Sequence, residues 1–503
     1  MKKILIDKNP WQTRVAIVEN NKLENIYFEA YDEEPLERTF IKGVITAILP
    51  GIQTAFVDIG QERAGFLHIS EIDRELAIKK IAEVTQLDDQ EELPKKTATR
   101  KQMSVEKIFK EGDSALIQVS KEPVYEKGAK LTTCFTLPGR FIVLMPNIPR
   151  LGVSKKIDDR NERYRLKDIV RKLLPEGMGA IIRTTADGRT EKELAKDINF
   201  LSSSWNTIQQ NYAKAKPTEK IHEDLELSLQ IVRDHLDTDI EEVVTNNKEN
   251  QQAIYKFVKL VAPEFRNRIK YYDKPKNIFE YYGIEQQIES LLNKKVPLKS
   301  GGSLIVETTE AMSVIDVNTG KFVGKKSLED TILKTNLEAA EEIVRQLRLR
   351  NIGGLIVIDF IDMAETSNRH RLFNYFEKTL KEKDKYQSVV LKVSEFGLLQ
   401  MTRKRTGKTL IQKLTQTCPL CKGYGFIKSV ASESYAILRK LKETLIGKKT
   451  QRDIALTLSP RIFDYLTTIQ FNAILQLEKD HNCKITLVSN DFYQVNQYKI
   501  EKL

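Results

Sequence analysis

Asp316 and Asp359 are the residues whose type and spacing could do chemistry. Each lies at or near the end of a strongly apolar run, Met312-Ser-Val-Ile-Asp-Val-Asn318 and Gly354-Leu-Ile-Val-Ile-Asp-Phe-Ile-Asp362. A strand alternates its faces with period two, so Asp316 and Asn318 point the same way. Two parallel strands joined by a helix bring both ends to one rim. Two carboxylates and an amide oxygen would then surround a single point. Hard oxygen ligands of this kind suit Mg2+, which is often held by one or two carboxylates plus substrate phosphate. The competing reading makes the acids solvated strand ends. On its own the pattern names metal chemistry and no substrate.

The connecting helix is legible. Leu337, Ala340, Ile343, Val344 and Leu347 recur at helical spacing, Ser327-Leu-Glu-Asp330 has the form of a capped start, and Gly353-Gly354 ends the run. In that competing reading Arg345, Arg348 and Arg350 on the same helix are a surface face. Upstream, residues 38–67 read as hairpins of a small barrel, with turns at Pro50-Gly51 and Gly60-Gln-Glu-Arg63. Phe56 and Phe66 fall on neighbouring strands, beside Lys42, Arg63 and the later Lys127. Aromatic faces with nearby cations hold single-stranded nucleic acid by stacking. Two core phenylalanines are the alternative. A charged segment, 71–104, interrupts the barrel, and strand patterning resumes at Ala115-Leu-Ile-Gln-Val119.

Cys418-Pro-Leu-Cys421, followed by Lys-Gly-Tyr-Gly425, can supply two of the four ligands of a tetrahedral zinc site. Cys134 and Cys483 are poor candidates for the rest, and a second copy of the chain is the simple source. A redox pair or two metal-free thiols are the other readings. The five histidines, His68, His222, His235, His370 and His481, are scattered and suggest no acid–base pair.

Composition sets the frame. The chain has 503 residues, too many for one core, with a net charge of +11 that favours a polyanionic partner. No apolar stretch approaches the roughly 20 residues of a membrane span. Met1-Lys-Lys-Ile-Leu-Ile-Asp7 reads as a short strand rather than a signal peptide. Four cysteines argue against a disulfide framework and for a reducing, cytoplasmic setting.

The residues resemble a known family. Glu310-Ala-Met-Ser-Val-Ile-Asp-Val-Asn-Thr-Gly320, Thr335-Asn-Leu-Glu-Ala-Ala-Glu-Glu-Ile-Val-Arg-Gln-Leu-Arg-Leu-Arg350 and Gly353-Gly-Leu-Ile-Val-Ile-Asp-Phe-Ile-Asp-Met363 are similar to the catalytic segment of the ribonuclease E/G endoribonucleases. The likeness extends through Gly43, Ala55-Phe-Val-Asp58, Gly65-Phe-Leu67, Lys127-Gly-Ala, Leu144-Met-Pro-Asn147, Pro175-Glu-Gly-Met-Gly179 and Ser300-Gly-Gly302, covering residues 1–425 and the tail more weakly. In length the chain is most similar to the shorter ribonuclease G type.

The resemblance implies an α/β multidomain chain. A ribonuclease-H-like domain (1–36 and 216–285) would be split by an S1 (OB) barrel (37–127) and a 5′-end sensor (128–215). A DNase-I-like catalytic domain (286–412), a CxxC zinc link (413–425) and a small C-terminal α+β domain (426–503) would follow. It implies Mg2+ on Asp316 and Asp359, with Asn318 as an accessory ligand or orienting group. It further implies RNA held by Phe56, Phe66 and Lys127, and a 5′-phosphate pocket at Gly139, Val143, Arg183 and Thr184. Zn2+ on Cys418 and Cys421 would be shared between chains of a homodimer or homotetramer. Family members often complete the 5′ pocket with an arginine, whereas residues 383–387 read Lys-Asp-Lys-Tyr-Gln and leave Lys385 as the available cation. The implied activity is Mg-dependent cleavage of single-stranded RNA to 5′-phosphate and 3′-hydroxyl ends, in rRNA processing and mRNA turnover. A non-catalytic RNA-binding scaffold of the same fold and a metal-dependent DNA nuclease are the rival readings.

Overall fold

The structure, a computed structural model, describes residues 1–31, 35–73, 104–123, 128–319, 328–405, 407–446 and 453–503. Lys127, the capping Ser327 and most of the charged segment 71–104 lie outside the described residues. The chain forms two compact units, Met1–Lys413 and Leu414–Leu503.

In the first unit, strands Lys2–Lys8, Gln12–Glu19 and Lys22–Ala30 form an antiparallel meander. Ile240–Thr245 and then Ile269–Tyr271 add to the other side of the first strand, both parallel to it. The period-two pattern of the first strands is used on both faces. Ile4, Ile6, Val15 and Ile17 pack with Val232, Ile254 and Val258, while Leu5, Ala16 and Val18 pack with Phe279, Ile284 and Leu349. Both faces are covered, so these strands read as continuous apolar runs.

The barrel strands are Phe40–Leu49, Thr54–Asp58, Gly65–His68, Lys130–Thr132 and Ser114–Lys121, and the last pairs back with the first. Closure therefore needs a strand beyond residue 127. Ala55, Val57, Leu67, Ile117 and Leu131 fill the interior. A four-stranded sheet follows, ordered Leu151–Val153, Gly179–Ile182, Ile142–Met145 and Leu137–Pro138, with helices Arg160–Leu173 and Glu191–Lys214.

The sheet that carries the acids has six strands, in the order Lys295–Pro297, Ser303–Thr308, Met312–Asn318, Gly354–Asp359, Leu398–Arg403 and Ser388–Val390. Its two central strands are parallel and joined through helix Leu328–Leu349. Ala340, Ile343, Val344 and Leu347 are fully buried against the sheet. Each large aliphatic side chain so buried contributes about 1.5–3 kcal/mol. Helix Thr366–Lys383 packs through Leu372 and Phe376 into the same core.

The arginines of the connecting helix are not a solvated face. Arg350 is buried and bonds Gln346 Oε1 at 2.7 Å and the Asn293 carbonyl at 2.8 Å. Burial pulls its pKa down to about 10. Arg345 donates to the Leu23 carbonyl and Arg348 pairs with Glu24, so both fasten the helix to strand Lys22–Ala30. A charge pattern cannot distinguish solvent from a neighbouring sheet as the partner.

In the second unit, strands Ile485–Ser489, Ile454–Leu458 and Tyr498–Lys502 form one sheet, whose core includes Ile437, Leu441, Ile462 and Ile474 from helices.

Candidate active site

Asp316 and Asp359 are Cα partners on the two central parallel strands. Neighbouring strands run about 4.8 Å apart, so the two carboxylates share one rim. Asp359 is exposed and Asp316 half-buried, and among the described residues neither forms a salt bridge. Asn318, also exposed, donates from Nδ2 to Asp316 Oδ2 at 2.7 Å. That bond aims the Asp316 carboxylate and leaves the Asn318 carbonyl oxygen as an acceptor. Partial burial, then the charges of Asp316 and Asp362, push the Asp359 carboxyl above its ordinary range. Close like charges disfavour the ionised form, and a cation between them would relieve the conflict. Among the described residues no group of three or more His, Cys, Asp or Glu side chains assembles at metal-binding spacing. Two carboxylates are the donor set Mg2+ commonly takes from protein, with water and phosphate completing its shell. The residues present therefore fit that ion.

Residues that the sequence reading passed over hold the rim. Asn336, fully buried on the connecting helix, donates Nδ2 to the Ile361 carbonyl at 2.9 Å and accepts the Ile361 N–H at 3.1 Å. The chain just after Asp359 is thus clamped at both backbone groups. Glu329 accepts the Ala364 and Glu365 N–H groups at 3.4 and 3.2 Å. An asparagine between the apolar positions Leu333 and Ala340 was the available signal.

On the barrel, Phe56 and Phe66 are cross-strand partners and both are half-buried. They alternate with the interior residues Ala55, Val57 and Leu67, so they lie on the outer face and the core reading fails. Lys130 is the Cα partner of Phe66 and pairs with Glu71. Lys42 points elsewhere, donating to the Ala215 carbonyl at 2.8 Å and lying over the Tyr212 ring.

The pocket predicted for a 5′-phosphate is partly assembled. Arg183 donates to the Gly139 carbonyl at 2.6 Å and pairs with Asp234 at 2.7 Å. Thr184 shares a hydrogen bond with Ser154 at 3.0 Å. Val143 sits opposite Ile181 on the side of the sheet away from the core residues Ile142, Leu144 and Ile182. Asp197, missed in the sequence, organises the loop: its carboxylate accepts the N–H groups of Arg140, Phe141 and Ile142 at 2.8–3.1 Å. A Cβ on Gly139 would stand 2.5 Å from that carboxylate, so only glycine fits.

Lys385 joins this region. Its Nζ lies 2.9 Å from His235 Nε2 and 3.3 Å from the Asp234 carbonyl. Burial of the ammonium, reinforced by the charges of Arg183, Lys2 and Lys156 and opposed by Asp234, brings its pKa down to about 8. Burial and then Lys385 hold His235 well below its ordinary value. Asp234 would be raised by burial, but Arg233 and Arg183 outweigh that and keep it ionised. A cavity of about 220 Å³ opens here, lined in part by Arg140, Phe141, Arg189, Asp234, His235 and Lys385.

In the second unit, the backbone N–H groups of Gly425 and Gly423 point at the Cys421 sulfur, with the Cys418 thiol beside it, and together they lower the Cys421 pKa. The turn is closed by Lys422 N–H to the Cys418 carbonyl at 2.8 Å. A thiolate stabilised this way is a competent metal ligand.

Comparison with known proteins gives concordant matches. Residues 136–406 match the model of the Ribonuclease E/G family, and residues 417–503 match that of the RNase E/G thioredoxin-like domain. Ribonuclease G of Haemophilus influenzae is 35% identical over 498 residues, covering 99% of this chain and 98% of that protein. Ribonuclease G of Escherichia coli K12 is 33% identical over 497 residues, covering 99% of both. Ribonuclease E of Escherichia coli K12 is 35% identical over 508 residues, covering 99% of this chain and 46% of that protein.

Proposed function

Because the chain belongs to the ribonuclease E/G family, we propose that it is an endoribonuclease that hydrolyses phosphodiesters of single-stranded RNA at the rim carrying Asp316 and Asp359. The observation that carries this reading is the register that makes the two acids partners on adjacent parallel strands. Asp316 and Asp359 would hold one Mg2+, with Asn318 orienting Asp316 or adding its carbonyl oxygen. A bound Mg2+ supplies an activated water and offsets charge on the reacting phosphate. Asn336 keeps the strand end from drifting, which preserves the separation of the carboxylates. The products carry 5′-phosphate and 3′-hydroxyl ends. The roles are rRNA processing and mRNA turnover, in the cytoplasm.

Phe56 and Phe66 clamp the strand by stacking, and a stacked base contributes about 1–3 kcal/mol. Duplex RNA is a poor substrate, since its bases are already stacked. By the family resemblance, Lys127 would add a cationic contact to the bound RNA. Gly139, Val143, Arg183 and Thr184 receive a 5′-monophosphate, and Lys385 stands where the family's arginine is missing. The order of the N-terminal sheet, with third, second, first, fourth and fifth strands adjacent, supports the ribonuclease-H-like assignment. The six-stranded sheet is read as DNase-I-like. Cys418 and Cys421 supply half of a Zn2+ site completed by a second copy, giving a homodimer or a pair of dimers.

The test is cleavage of labelled RNA and DNA oligomers with Mg2+ or EDTA by the wild-type chain, Asp316→Asn and Asp359→Asn. RNA-only, Mg-dependent cleavage lost in both variants, with RNA binding kept, is expected. Full activity in either variant would defeat the assignment, and cleavage of DNA would favour the rival nuclease.

A further inference from the structure

Residues 394–397 form a tight turn that leads into strand Leu398–Arg403, where Leu398 is the Cα partner of Asp359. The turn is strongly determined. Ser394 N–H donates to the Leu398 carbonyl at 2.9 Å, Gly397 N–H to the Ser394 carbonyl at 3.2 Å, and Leu398 N–H to Ser394 Oγ at 3.1 Å. Gly397 has φ +74°, and a Cβ there would lie 2.8 Å from the Phe360 carbonyl and 3.0 Å from Asp362 Oδ1. The turn is therefore seated against the segment that carries Asp359 and Asp362.

On this rigid turn Phe396 is 80% exposed. Phe360, on the segment beneath, is 2% exposed and packs edge-on against Phe376 with ring centroids 6.3 Å apart. One ring fills the core and the other is held out in water at the rim of the acid pair. Exposing a phenyl ring forgoes burial free energy, and the turn that displays it is pre-ordered.

We propose that Phe396 is a base-stacking platform for the nucleotide next to the scissile phosphate, and that it positions the phosphodiester over Asp316 and Asp359. The inference rests on the reading that these acids mark the cleavage site. A Mg2+ held by the two acids would draw in the phosphate but leave the neighbouring base unheld, and an aromatic ring supplies that grip. A base offers a π face whatever its identity, and aromatic stacking is insensitive to sequence. Phe396 thus acts as a substrate-positioning residue, on a different element from Phe56 and Phe66. The exposed Val389 and Leu391 precede the same turn, so a second copy of the chain is the competing occupant.

The deciding experiment is single-turnover cleavage by the full chain as wild type, Phe396→Ala, Phe396→Tyr, Phe396→Leu and Asp359→Asn. Substrates are short RNAs carrying one abasic nucleotide at each position flanking the cleaved bond in turn. Phe396→Ala should lower kcat/KM on intact RNA about ten- to a hundredfold, Tyr should restore it, and Leu should not. One abasic position should slow the wild type and erase its advantage over Phe396→Ala. Intact RNA cut equally well by Phe396→Ala overturns the inference. So does a defect that persists on every abasic substrate or that Leu repairs as well as Tyr. Unchanged cleavage with a lower light-scattering mass for Phe396→Ala assigns the ring to a contact between copies, which also overturns it. Cleavage that survives Asp359→Asn refutes the carboxylate reading, whereas cleavage lost there but intact in Phe396→Ala refutes only the stacking platform.

Discussion

The carboxylate rim and the Arg183 pocket handle charge in opposite ways. At the rim, Asp316, Asp359 and Asp362 lie close together with no salt bridge among the described residues, and partial burial followed by the neighbouring acids raises Asp359. In the pocket these arginines are matched by carboxylates: Arg183 and Arg233 share Asp234, and Arg189 pairs with Asp237 at 2.6 Å. The rim is left in electrostatic conflict that a bound cation would resolve. The arginines of the pocket are largely neutralised from within, and an anion entering it must compete with Asp234 for Arg183. One site therefore needs its ligand to be at ease, while the other gives its ligand only the difference between two similar ion pairs. Catalytic consequences should be large at the rim and graded in the pocket.

The sharpest way to break this contrast is at the rim. Asp316→Asn or Asp359→Asn should lower cleavage by about three orders of magnitude or more in single-turnover assays, with RNA affinity preserved or slightly raised. A modest loss would place the rim on the same footing as the pocket.

The next effect lies between the two regions. Asp384 and Arg403 form a bidentate pair at 2.6 and 3.1 Å with both side chains buried, and Arg403 also donates to the Ile352 carbonyl at 2.6 Å. Asp384→Ala strands a buried guanidinium and should cost about 3–5 kcal/mol in urea unfolding. Because Asp384 adjoins Lys385, this variant should also blunt any 5′-monophosphate preference.

Phe56→Ala and Phe66→Ala should each weaken binding of single-stranded RNA by about 1–3 kcal/mol, read by fluorescence anisotropy at fixed salt, with little change in the cleavage step once RNA is bound. A loss of folding instead would return both rings to the core.

The smallest effect is a pH dependence in the pocket. Lys385 is held below its ordinary value, so it loses its charge as pH rises through about 8. The preference for 5′-monophosphorylated over 5′-hydroxyl RNA should be greatest below that pH and decline severalfold above it. Lys385→Arg should flatten the profile, since a guanidinium stays charged throughout. A profile unchanged in Lys385→Arg would remove Lys385 from the pocket.

What could be read from the sequence follows from what period and composition encode. The apolar runs ending in Asp316 and Asp359, the helix between them and the alternating barrel strands are local patterns, and the structure has them in place. Partner choice is a tertiary property and stayed hidden. The competing reading made Arg345, Arg348 and Arg350 a solvated stripe, whereas they join the helix to other parts of the unit. Asn336 and Asp197 are polar residues within apolar helical stripes, a faint signal whose meaning depends on which backbone groups lie opposite. Lys130–Thr132, the strand that closes the barrel, is too short to show a period.

The most direct measurement is Mn2+ titration followed by electron paramagnetic resonance, on the chain bound to a non-cleavable RNA. One ion should bind at the rim of the wild type and be lost in both Asp316→Asn and Asp359→Asn. Equal stoichiometry and affinity in wild type and both variants would contradict a cation held jointly by the two aspartates.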